Sequence, residues 1–203
     1  MKSPDLERVA ETHFMIRPTL KTALKNQVLT AEGQAMSPGC STYFDVWTKS
    51  CSDRFFDMGT LIRAAASVET SLRDYYAQKK GYLNLSQLRQ DPSYKKNIFQ
   101  RIMPWHGNDG AIVLLKRVNV DITVIPELPI VQELVLHRHL YAHNLGVIDD
   151  DYISNLKRLT SVDLQANPSV AAQYPAQDVI WFEPLSRLHV FIEAVRSFVR
   201  ALP

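Results

Sequence analysis

The stretch ELVLHRHLYAHNLGVIDDDYI, from Glu133 to Ile153, sets three histidines and an arginine inside an apolar run that stops at a glycine. Three kinds of chemistry compete for it. His139 and His143 are four residues apart and share one face of a helix, the separation used by helical metal-binding pairs. HLYAH lacks the glutamate that directly follows the first histidine in the zinc-protease pattern, and no third ligand stands nearby in sequence, so no metal or other cofactor is expected. Arg138 with His143 is the second reading. Histidine, with a free pKa of about 6.5, can take a 2'-hydroxyl proton or protonate a leaving oxygen near neutral pH. Arginine adds a permanent forked charge that binds phosphate and stabilises its developing negative oxygens. Together they hold the minimum chemistry for cleaving RNA without a metal, although a five-residue offset sets their stems about 140° apart on an ideal helix at ~100° per residue. In the third reading Arg138 forms a packed ion pair with a carboxylate such as Glu69, and the histidines serve packing or face water.

The elements that must position these residues are mostly helical. Asp53 to Lys79 reads as a long helix in which Phe55, Met58, Leu61, Ile62, Ala65, Val68, Leu72 and Tyr76 recur at three- and four-residue spacing, with Gly81 as terminator. Glu69 falls on or near that face, where an ionised carboxylate needs a partner. A second helix is expected over Pro92 to Met103, and AIVLLKRVNVDITVIPELP, residues 111–129, as helix followed by loop. Pro129 suits the first position of the motif helix, since its missing amide proton costs nothing there. Asn144 and Gly146 suit its end, Asp149 or Asp150 can cap a helix over Tyr152 to Leu159, and a final helix runs from about Pro184 to Arg200. This predicts an all-α bundle of four to five helices over residues 51–203, with residues 1–50 as an N-terminal helical extension whose Asp5 to Lys25 part is helical.

Composition sets the class. The 203 residues, 46% hydrophobic and 22% charged, describe a globular protein with no apolar run of the ~20 residues that span a bilayer and no secretory start, so the cytoplasm is the expected compartment. Cys40 and Cys51 are expected as ordinary thiols. Net charge is only +2, yet from Lys79 to Arg117 eight cations (Lys79, Lys80, Arg89, Lys95, Lys96, Arg101, Lys116, Arg117) face two carboxylates (Asp91, Asp109), an excess of six. Such a block is a solvated face or a phosphate-binding patch, which makes Lys79, Lys80, Lys95, Lys96 and Arg101 candidate RNA contacts.

The motif RHLYAH, continuing as NLGVIDDDYI, resembles that of the HEPN superfamily, helical bundles whose nuclease members carry an arginine, usually a polar neighbour, and a histidine four to six residues on. The helix LIRAAASVETSLRDYY resembles the family's first core helix, and the similarity covers roughly Phe55 to Phe198. The resemblance implies a homodimer in which two motif helices flank a shared cleft. It implies His143 as the acid/base residue, Arg138 as the phosphate-orienting residue, His139 as its polar neighbour, Asn144 as support for His143 or the helix end, and Glu69 as the acidic position near the arginine. Tyr141 could stack on a base or pack in the core. Family nucleases act on RNA, commonly as toxins or in defence against phage, which implies an antitoxin or other regulatory partner; other members are non-catalytic interaction modules.

Overall fold

The structure, a computed structural model, describes residues 4–26, 44, 45, 48, 52–96, 98–102 and 110–203. Among these it is all-α, and the antiparallel pairing present is a single bridge between Val147 and Ile180. Cys40, Cys51 and His106, and most of the segment between the N-terminal helices and the long helix, lie outside the described residues.

Four helices form the body: α3 (Ser52–Lys79), α4 (Leu128–Asn144), α5 (Asp150–Thr160) and α6 (Leu188–Arg200). They are preceded by α1 (Pro4–Glu11) and α2 (Arg17–Lys25), joined by a π-helical turn at Thr12–Ile16. The apolar spacing of α3 does what a 3.6-residue period dictates: Met58, Leu61, Ala65, Val68, Leu72 and Tyr76 are buried against α4 and α6. Phe55 departs from the expectation. It is 62% exposed, because it lies in the first turn of α3, on the side turned from the core. Helix α1 joins the same core through Leu6, Val9 and Ala10. Arg17 and Lys21 of α2 clamp onto the start of α3, with Arg17 Nη2 2.8 Å from Asp57 and Lys21 Nζ 2.6 Å from Asp53.

Helix α4 is the central element. Leu128, Val131, Leu134, Val135, Leu136 and Leu140 are buried, so α4 is covered on most sides by α3, α5 and α6 and keeps one open stripe. Pro129 stands at its second position rather than its first, with Glu127 as N-cap. Other expectations also need correcting. Over Pro92 to Met103 the described residues, 92–96 and 98–102, do not form the expected helix; the short helix Leu85–Gln90 comes before them and a 3-10 turn, Ile98–Gln100, lies among them. Asp91 accounts for the difference, because it accepts from the Ser93 amide (2.8 Å) and from the hydroxyls of Tyr76 (2.6 Å) and Tyr82 (3.2 Å), tying the chain into a turn. Residues 111–129 follow the expected order, with helix Ala111–Lys116 and then a 3-10 turn at Ile122–Val124. The C-terminal run splits into Glu183–Ser186 and α6, with Arg187 at the break.

Candidate functional site

The open stripe of α4 carries the motif. Arg138 and His139 are half-buried, Ala142 and His143 exposed, positions i, i+1, i+4 and i+5 on one side of the helix. Two features fix the end of this stripe. Leu145 and Gly146 take the left-handed conformation (φ 51° and 89°), and the Gly146 amide turns back to the Leu140 carbonyl at 3.3 Å. A Cβ at Gly146 would stand 3.2 Å from Ile180 and 3.3 Å from the Tyr141 ring, so glycine serves both the φ and the close approach. The chain beyond is pinned by Trp181 N to Gly146 O (2.8 Å) and Ile148 N to Val179 O (3.0 Å).

Arg138 and His143 meet within one chain. Arg138 Nη1 is 3.4 Å from His143 Nε2, since the long arginine stem spans the offset that an ideal helix puts between them. A guanidinium has only donors, so this contact uses the Nε2 lone pair and places the His143 ring proton on Nδ1. The His139 and His143 rings are 5.5 Å apart and inclined at 31°. Burial, then the charges of Arg138 and His143, push His139 down to about 4, which keeps it neutral at neutral pH.

These side chains line a cleft of about 490 Å³. Asp149, Asp151, Tyr152 and Asn155 of the α5 region line it as well, with Gln100 and Arg101. Asp149 was expected as a cap and is one, accepting from the Tyr152 amide at 2.8 Å. Its second oxygen accepts from Asn144, so Asn144 ties the end of α4 to the start of α5 rather than orienting His143. The cleft lining therefore holds both cations and carboxylates.

Beneath it runs a buried chain of polar groups. The Tyr152 hydroxyl is 2.9 Å from His137 Nδ1, His137 Nε2 is 3.2 Å from Glu133, and Arg187 donates to both Glu133 oxygens. With His137 neutral, Tyr152 donates to Nδ1 and the Nε2 proton is donated to Glu133. Burial pushes His137 down; burial pushes Glu133 up, but hydrogen bonds from His137 and Arg187 outweigh it and hold the carboxyl below its usual range. The signal for His137 in the sequence is its i, i+4 spacing from Glu133.

Other expected site residues are dispersed. Tyr141 is 1% exposed and donates to the Trp181 carbonyl at 2.8 Å, so it packs the helix end and cannot stack on a base. Glu69 lines a small crevice with Arg138, His139, Phe99 and Gln100, but among the described residues no ion pair within 4.0 Å joins it to Arg138. Of the cationic candidates, Arg101 lines the cleft, whereas Lys79, Lys80, Lys95 and Lys96 do not. Lys79 lies over the Tyr75 ring, and Lys80 over Tyr76, 3.8 Å from Asp91. No cluster of three or more potential metal ligands occurs among the described residues, and none of their helices is long and apolar enough to cross a membrane.

A comparison with protein-family models finds no match, and comparisons with curated proteins and with solved structures find no significant match. The site is therefore read from its geometry.

Proposed function

We propose that the protein is a metal-independent endoribonuclease that cleaves RNA by 2'-hydroxyl transesterification. The observation carrying this reading is the 3.4 Å contact of Arg138 Nη1 with His143 Nε2 on the wall of an open cleft, which sets a phosphate-binding cation beside an unprotonated imidazole nitrogen. His143 Nε2 takes the 2'-hydroxyl proton; the 2' oxygen attacks phosphorus, the bond from phosphorus to the 5' oxygen breaks, and the leaving oxygen receives a proton. Arg138 turns its donors from His143 to the phosphate as charge develops on the oxygens. Arg101 adds a further cation to the lining of the cleft.

The HEPN-like resemblance suggests a twofold dimer in which a second His143 supplies the leaving-group proton, and a toxin or phage-defence role with an antitoxin or other regulator. Because Arg138 and His143 approach each other in one chain, the dimer is not needed to unite the pair and rests on the resemblance alone; sedimentation at the concentration of the cleavage assay tests it. The second reading is a non-catalytic interaction or RNA-binding module; Asp149 and Asp151 favour its protein-interaction form, because carboxylates lining the cleft oppose entry of a phosphate backbone. Pure protein incubated with single-stranded RNA in excess chelator separates the two. Products ending in 2',3'-cyclic phosphate and 5'-hydroxyl support the nuclease, and intact RNA, or cleavage only on adding a divalent ion, contradicts it.

A further inference from the structure

On the other side of the 3-10 turn Ile98–Gln100 lies a second concavity, of about 280 Å³, lined by Ser93, Lys95, Ile98, Val113 and Arg117 among others. It is built against the core: Ile98, Phe99, Leu114 and Leu115 are buried, so its floor is fixed while its cationic rim faces water. Two acids of the same region are engaged. Asp121 holds Lys116 at 3.3 Å, and Asp91 accepts from Tyr76 and Tyr82 with Lys80 at 3.8 Å. Arg117, by contrast, forms no ion pair among the described residues, although it is exposed and lines the recess. Its forked guanidinium at the rim of a hollow matches the paired oxygens of a phosphodiester.

We propose that this second cavity is a backbone-phosphate subsite, in which Arg117 grips the RNA strand whose scissile linkage lies at Arg138 and His143. The inference rests on the ribonuclease reading of the first cleft. One turn joins the two cavities: Ile98 lines the second, Gln100 and Arg101 the first. Three residue steps span at most ~11 Å between those linings. A strand carries a phosphate about every 3.4 Å of axis when stacked, so a strand crossing the turn passes about three nucleotides at most. A dinucleotide, with a single phosphate, should occupy the catalytic cleft alone, whereas a strand of about twelve nucleotides should reach both.

The test compares cleavage by wild type and Arg117→Ala on single-stranded substrates of about these two lengths, in chelator, across a salt series. The long substrate should lose about tenfold in kcat/KM through KM, and its salt slope should fall by about 0.7, the share of one phosphate contact. The short substrate should be unaffected, and Arg117→Lys should recover part of the loss. Equal cleavage of both lengths by wild type and Arg117→Ala overturns the subsite and leaves the nuclease reading intact; an equal loss on both lengths also overturns it. Inorganic phosphate titrated alone against wild type and Arg117→Ala distinguishes a free anion: phosphate binding that needs Arg117, with no length dependence in cleavage, assigns the cavity to that anion and overturns the strand. A wild type that cleaves neither substrate removes the ribonuclease reading, and this inference with it.

Discussion

Replacing His139 with Gln should flatten the acid sensitivity of the fold. His139 in the native chain is pushed down to about 4, first by burial and then by Arg138 and His143, against a free value of about 6.5. Its folded-state pKa lies below the unfolded one, so its contribution to stability is complete above about pH 6.5 and is lost as pH falls towards 4. A shift of this size corresponds to about 3 kcal/mol at ~1.4 kcal/mol per pKa unit. Half-burial at the wall of an open cleft lets water screen much of that, which leaves about 1–2 kcal/mol. Urea denaturation of wild type and His139→Gln at intervals from pH 7 to pH 4 measures the difference, and NMR titration of the imidazole resonances gives the midpoint directly. The two stability curves should diverge below about pH 6.5, wild type falling faster. Parallel curves, or a His139 midpoint of 6 or above, would refute the reasoning.

Two substitutions test the supports of the motif helix. Arg187→Ala removes the two guanidinium donors to Glu133, which is 7% exposed; with His137 still in place and Arg187 itself half exposed, the cost should be about 2 kcal/mol by urea denaturation, and an unchanged midpoint would contradict the pair's role. Tyr141→Phe loses the bond to the Trp181 carbonyl and should cost about 1 kcal/mol with RNA cleavage unaltered; a stable variant that no longer cleaves would return Tyr141 to the site.

The parts of the fold governed by local rules were legible in the sequence. Helix α3 follows from the spacing of Met58, Leu61, Ala65, Val68, Leu72 and Tyr76, and the α4 to α5 turn from Gly146 and the capping carboxylate Asp149. What was not legible depends on distant partners. Asp91 turns the chain where a helix over Pro92 to Met103 is expected, because two tyrosine hydroxyls reach it from α3 and the chain just beyond. Arg187 marks a break in the C-terminal helix and reaches Glu133 on α4. At the site, residue types named Arg138 and His143, but ideal helical angles kept them apart; only the arginine's reach brings them to 3.4 Å. The carboxylate lining was hidden because Asp151 and Asn155 read as an ordinary polar helix face until α5 is folded against α4.

The most direct measurement is RNA cleavage in excess chelator by wild type, Arg138→Ala, His143→Ala and the double variant, each first shown to be folded by its thermal melt. Acting as a unit on one phosphate, the two residues should each cost about 100-fold or more in kcat, with the double variant little worse than the more damaged single one. Wild-type cleavage that persists in folded His143→Ala, or no wild-type cleavage at all, would contradict the assignment of Arg138 and His143 as the catalytic pair.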